Sequence, residues 1–211
     1  LEGIYLEGEN DNLNLAATDG HVMCWDQINA VSGVSGLKLI VPKTAAKKLT
    51  SMGMDDDITL LHDANSAIFK TDAYLIRTRI RDGKFVPYQK MFVNMENYAI
   101  VNREELIGAM TRAKMCTDES VPAEFDIDGE EINVIIQDKV TNYREKIMLQ
   151  SPIENPIRIG FDSRLVLETI KAFTCENITL NFSSPSTPMI VQAEDSDMKA
   201  LVLPVRLKGV K

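Results

Sequence analysis

"LIVPKTAAKKLTSMGMDDDITLL", residues Leu39 to Leu61, and "RIGFDSRLVLETIKAFTCENITLNF", residues Arg158 to Phe182, are two versions of one pattern. Each passes from an apolar β-type stretch through a short amphipathic segment and an acidic connection into an Ile-Thr-Leu strand. Ile58 precedes Ile178 by 120 positions, with no gap between the aligned helical segments. A second pair, "IYLEGENDNLNL" (Ile4 to Leu15) and "FDIDGEEINVII" (Phe125 to Ile136), recurs at nearly the same offset. Self-similarity at a fixed spacing marks a repeated structural unit, and a period near 120 residues fits tandem domains of one fold.

Between these anchors, period-2 alternation predicts strands at Asn12–Thr18, Asp57–Asp63, Glu124–Asp128, Glu131–Gln137 and Asn177–Ser183. Asp128-Gly129 separates two of them with the turn chemistry of a hairpin. Three stretches have helical spacing instead. Pro42–Met52 opens on a proline at the first turn and aligns Ala45, Leu49 and Met52. Asn102–Met115 starts on an asparagine cap with Glu105 at capping-box spacing, and aligns Leu106, Met110 and Ala113. Asp162–Phe173 starts on an aspartate cap and aligns Val166, Ile170 and Phe173. The chain is therefore expected to be α+β. The repeat also predicts a helix before Leu1, matching Asn102–Met115, so the chain is expected to begin in mid-domain.

The 211 residues are 45% hydrophobic, enough for a sizeable core, and carry a net charge of −8. An acidic balance excludes a protein that grips nucleic acid or anionic membrane with its whole surface; a nucleic-acid role requires a local basic face. Cys24, Cys116 and Cys175 are far apart and odd in number, the usage of structural thiols in a reducing compartment, so a cytoplasmic location is expected. No run has the length of a membrane span and the first residues show no basic stretch followed by an apolar one, which predicts no membrane association.

Residues Ala17 to Trp25, "ATDGHVMCW", place a carboxylate, a glycine, a histidine and a cysteine close together. A hydrolytic site would need Asp19 to orient His21 toward a nucleophile, yet no Gly-x-Ser-x-Gly elbow, Cys-His signature or HExxH accompanies them, and His62 lies in a different segment. A plain turn and a binding rim are the alternatives. Asp55-Asp56-Asp57 lacks the spacing of a calcium loop, so neither a metal nor a cofactor is expected.

"LEGIYLEGENDNLNLAATDGH", "LIVPK", "RIRDGKFVPYQ", "IRIGFDSRLVLETI", "CENITL" and "ALVLPVRL" fall in the order and spacing of bacterial DNA polymerase III beta subunits, the replicative sliding clamps. The sequence resembles that family from inside its middle domain to its C-terminus. The resemblance implies a DNA-clamp fold of tandem repeated domains with antiparallel outer sheets and pore-lining helices. Residues 1–95 would be a partial middle domain and residues 96–211 the C-terminal domain. It implies a non-catalytic processivity factor. A full-length homodimer would encircle double-stranded DNA without regard to sequence, tethering the polymerase catalytic subunit, the clamp loader and other proteins that carry a clamp-binding motif.

Carried over position by position, the resemblance assigns an apolar peptide-binding pocket to Leu1, Thr18, Gly20, His21, Met23, Val86, Lys90, Met91, Pro188, Ile190, Leu201, Leu203, Pro204, Val205 and Arg206. Lys43, Lys47, Lys48, Arg103, Arg112, Lys114, Arg164 and Lys171 would face DNA, and Met115 and Cys116 would meet the partner chain. Two departures stand out. Phe85-Val86-Pro87-Tyr88 replaces the family's usual Phe-Pro-Asp-Tyr, and Lys208 to Lys211 extend past the leucine near which clamps commonly end. The alternative is a truncated paralogue that acts only as a peptide-binding interaction module.

Overall fold

In the computed structural model, which describes residues 3–29, 31–52, 57–116 and 121–207, the chain divides into two units, Leu1–Met91 and Phe92–Lys211. The first begins with a hairpin of β1 (Gly3–Glu9) and β2 (Asn12–Thr18) in which Glu9 pairs with Asn12. The two connecting residues, Asn10 and Asp11, have φ of 50° and 62°. This left-handed pair matches the strand twist, and Asn and Asp adopt it at lower cost than other residues with a Cβ. β3 (Val22–Ile28) extends the meander, and β4 (Lys38–Pro42) pairs on the free side of β1, giving the order β4-β1-β2-β3.

α1 (Lys43–Ser51) follows β4 directly, and Pro42 occupies the N-cap rather than the first turn. A residue that ends a strand and has no N–H to donate loses nothing at that junction. α1 buries Ala45, with Leu49 beside it, against Leu6, Leu39, Val41 and Phe69. A three-stranded sheet comes next: β5 (Thr59–His62), β6 (Ser66–Lys70) and β7 (Leu75–Arg79). The expected strand Asp57–Asp63 is trimmed to Thr59–His62 because Asp63 turns the chain. Its carboxylate accepts from the backbone N–H of Asn65 at 2.8 Å and of Ser66 at 2.7 Å, as aspartate does in turns.

The second unit contains β8 (Asn97–Asn102), α2 (Arg103–Met115), β9 (Ala123–Gln137), β10 (Asn142–Phe161), α3 (Ser163–Lys171), β11 (Asn177–Phe182), β12 (Met189–Gln192) and β13 (Lys199–Val202). Its sheet order is β13-β12-β11-β8-β10-β9. Both helix starts follow from their caps. Asn102 Oδ1 accepts from the Glu105 N–H at 3.1 Å, and Asp162 Oδ1 accepts from those of Arg164 and Leu165 at 2.9 and 3.4 Å, satisfying donors that the helix itself leaves unpaired. α2 buries Leu106, Ala109, Met110 and Ala113 and packs against α3, which buries Val166, Leu167 and Ile170. Phe125 and Phe161, both fully buried, meet edge to face with ring centres 5.4 Å apart.

The stretches Glu124–Asp128 and Glu131–Gln137 both lie in β9, on either side of Gly129. Its φ is 55°, and the register against β10 shifts there. The 120-residue period of the sequence recurs in three dimensions. β4-α1-β5 has the same order as the end of β10 followed by α3 and β11, and each series ends in a three-stranded antiparallel meander. Among the described residues no helix is long and apolar enough to cross a membrane.

Candidate functional site

The "ATDGH" segment is the β2–β3 connection. Thr18 Oγ1 donates to the Val22 carbonyl at 2.7 Å and accepts from the Gly20 N–H at 3.1 Å. Asp19 Oδ1 accepts from the backbone N–H groups of His21 and Val22, each at 2.8 Å. Burial raises the Asp19 carboxyl, but those backbone donors outweigh it and hold the group below the ordinary carboxylate range. Gly20 has φ of 97°, open to glycine and strained for other residues. Asp19 therefore binds its own loop instead of orienting the His21 ring, and the loop is an exposed tip closed by its own hydrogen bonds. His21 stands at that tip, while Met23, paired with Thr18 across the hairpin, is almost fully buried beneath it. Cys24 has its thiol pushed up by burial and then by the Asp19 charge, the opposite of an activated nucleophile.

The segment Phe85 to Met91 is the second feature of the first unit. Phe85 stacks on Tyr5 with ring centres 4.9 Å apart, and Tyr88, 3% exposed, meets Tyr5, Trp25 and Phe85 edge-on at 6.1, 5.7 and 6.2 Å. The Tyr88 hydroxyl donates to Glu7 at 2.9 Å, and Glu7 also accepts from Tyr5 at 3.3 Å and pairs with Lys38 at 3.0 Å. Burial raises the Glu7 carboxyl, and these three donors together bring it below the ordinary value. Thus β1 clamps the short turn Tyr88–Met91. Lys90 and Met91 are left exposed and Val86 half-buried. Composition gave no sign of this aromatic cluster, since its members come from β1, β3 and the 85–88 segment. A cleft of about 880 Å³ lies alongside, lined by Glu7, Lys38, Ile40, Arg81, Phe85 and Lys90 among others.

In the second unit, Ile190 on β12 pairs with Leu201 on β13, and both are nearly buried; Pro188 is half-buried just before β12. After β13 the chain leaves the sheet. Leu203 and Val205 are 37% and 39% exposed, Pro204 is half-buried and Arg206 exposed. Leu1 and the tail Lys208–Lys211 lie outside the described residues.

Residues 93–206 match the family model of the C-terminal domain of the DNA polymerase III beta subunit, and residues 1–87 match that of its central domain. The chain belongs to the DNA polymerase III beta subunit family. Curated relatives include the beta sliding clamps of Synechococcus elongatus, 23% identical over 99% of this chain, and of Rickettsia bellii, 24% identical over 98%. The chain spans 59% of the length of each. Among solved structures, the sliding clamp of Pseudomonas aeruginosa superposes with a TM-score of 0.91 at 19% identity, covering 98% of this chain and 58% of that one. The Bartonella birtlesii DnaN sliding clamp, solved bound to griselimycin, gives 0.89 at 23% identity, also over 98% and 58%. The fold is the α+β DNA-clamp fold.

The helices of this family member divide the basic residues into two kinds. Lys43, Lys47 and Lys48 on α1, Lys114 on α2 and Lys171 on α3 are exposed. The arginines are engaged. Arg103, with a side chain only 15% exposed, donates to the Cys175 carbonyl at 2.9 Å and pairs with Glu104. Arg112 is bound through two nitrogens by Glu145, and Arg164 lies 3.7 Å from Asp162. On these helices the lysines are exposed, Arg112 is exposed but paired with a carboxylate, and Arg103 is largely covered, a distinction that residue type alone does not make. At the end of α2, Met115 is 82% exposed and Cys116 is exposed; Thr141 Oγ1 donates to the Cys116 carbonyl at 3.2 Å, which holds this end of the helix beside the β9–β10 connection. Asp55 and Asp56 lie outside the described residues, among which no His, Cys, Asp and Glu side chains cluster in a group that would hold a metal.

Proposed function

We propose that this chain is the middle and C-terminal portion of a cytoplasmic replicative sliding clamp, a partial middle domain to about Met95 followed by the C-terminal domain. The full-length homodimer encircles double-stranded DNA and tethers the polymerase III catalytic subunit, the clamp loader and other motif-bearing proteins. It makes and breaks no bond. One observation carries the reading: in the segment that matches the family's C-terminal domain, Leu203 and Val205 keep apolar side chains 37% and 39% exposed, the surface chemistry of a site that receives an apolar peptide anchor.

Thr18, Gly20, His21, Met23, Val86, Lys90 and Met91 of the first unit and Pro188, Ile190, Leu201, Leu203, Pro204, Val205 and Arg206 of the second contribute to recognition, Leu1 with them. Met23, Ile190 and Leu201, nearly buried, support the more exposed members. The exposed lysines of α1, α2 and α3 contact phosphates weakly and without reading bases, which permits sliding. Tethering raises the local concentration of polymerase without a stronger grip on the template. Met115 and Cys116 contribute to the contact between protomers.

The test uses the full-length protein, loaded by its clamp loader onto nicked circular plasmid and passed through gel filtration. The expected result is co-elution with the circle and loss of the protein once a restriction enzyme linearises it. Equal retention on both, or none on either, leaves only the interaction-module reading.

A further inference from the structure

Gly160 is the penultimate residue of β10 and is buried between two neighbours. On one side it pairs with Glu124 of β9; on the other it forms an isolated bridge to Val205, whose N–H donates to the Gly160 carbonyl at 2.8 Å. Its φ lies outside the left-handed region, so backbone conformation does not demand glycine here. Space does. A Cβ at this position would stand 2.6 Å from Leu207 Cδ2, 2.9 Å from Leu207 Cγ and 2.7 Å from the Val205 carbonyl oxygen, and one of these contacts is backbone. The Leu207 side chain thus fills the hollow left by the missing Cβ. One hydrogen bond and one apolar side chain draw the chain back onto β10, three residues after β13 ends at Val202. Leu203 and Pro204 are the span between the two fixed points.

We propose that Gly160 is a positioning residue, the seat of a clip that fixes the C-terminal segment Leu203–Arg206 in its peptide-receiving conformation. The proposal rests on the peptide-binding reading of that segment. Gly160 touches no ligand itself and acts through Val205 and Leu207.

The test follows the 211-residue chain by two readouts. The first is trypsin cleavage of the Arg206–Leu207 bond, resolved by mass spectrometry, which reports how often the clip opens. The second is binding of a fluorescent Gln-Leu-Ser-Leu-Phe peptide. Gly160→Ala is expected to accelerate that cleavage about tenfold, because proteolysis of a native chain tracks the open population, and to weaken the peptide by a similar factor. Leu207→Ala, which leaves the strand untouched, is expected to do the same, and the double variant to be no worse than either single one, since both remove one anchor. Wild-type cleavage rates in both single variants overturn the clip. If the wild type binds no peptide, the pocket reading falls, and the cleavage comparison alone decides the clip: acceleration supports it and equality overturns it.

Discussion

Phe161→Ala is expected to destabilise the second unit by about 3–5 kcal/mol, the range for removing a large aromatic side chain from a closed core. Phe161 is fully buried at the end of β10, and the next residue, Asp162, caps α3. The cavity would open between the sheet and that helix, where Val166 and Ile170, 0% exposed, are held by a well-packed interior that relaxes only partly. Urea unfolding followed by hydrogen exchange at α3 and β11 measures it: the midpoint falls while the dependence on urea stays constant. The double variant with Phe125→Ala should cost less than the sum of the single changes by about 0.5–1.5 kcal/mol, the value of an edge-to-face pair. A change below about 1 kcal/mol, typical of a surface or well-tolerated position, would show that the two rings are not packed as described.

Tyr88→Ala should be comparably severe in the first unit, about 3–5 kcal/mol, because it removes a ring in contact with Tyr5, Trp25 and Phe85 and one of the donors to Glu7. Trp25 is the only tryptophan and lies 5.7 Å from the Tyr88 ring, so its fluorescence reports the change directly. Tyr88→Phe keeps the ring and loses the hydrogen bond to the Glu7 carboxylate, with the long 3.4 Å one that Gln89 Nε2 donates to the hydroxyl, for a cost of about 1.5–3 kcal/mol. The two variants also separate in pH. The folded Glu7 carboxyl is depressed, so its contribution is fully present above the unfolded value of about 4.3 and is lost as pH falls through the folded one. Removing the Tyr88 donor lets that carboxyl rise toward its ordinary value. The stability gap between wild type and Tyr88→Phe should therefore be widest near neutrality and shrink below pH ~4; a gap constant with pH would contradict the Glu7 network.

Local chemistry made much of this architecture legible. Asn12–Thr18 is β2 from end to end, and Asn102 and Asp162 cap the helices they were expected to begin, because a strand's alternation and a cap's hydrogen bond are decided by near neighbours. The 120-residue repeat carried the tandem organisation for the same reason. What stayed hidden depends on residues distant in sequence. Tyr88 and Glu7 are 81 positions apart, and no spacing rule joins them. Gly160 looks like an ordinary strand residue until Leu207 is seen in the space beside it. The basic residues show the limit most clearly: Arg103 and Lys114 carry equal charge on α2, but the first spends it on Cys175 and Glu104 while the second is exposed. Asp19 and His21, adjacent enough to look catalytic, are separated in role by the backbone hydrogen bonds of their own turn.

If the exposed apolar residues of the family-matched segments receive a peptide, fluorescence anisotropy of a labelled Gln-Leu-Ser-Leu-Phe peptide titrated with this chain will show it. Saturable micromolar binding is expected, about −8 kcal/mol. Leu203→Asp, where a charge replaces a partly exposed side chain without disturbing the core, is expected to lose that binding. Absence of binding to the wild type, or equal binding to the variant, would contradict the peptide-receiving role of this surface.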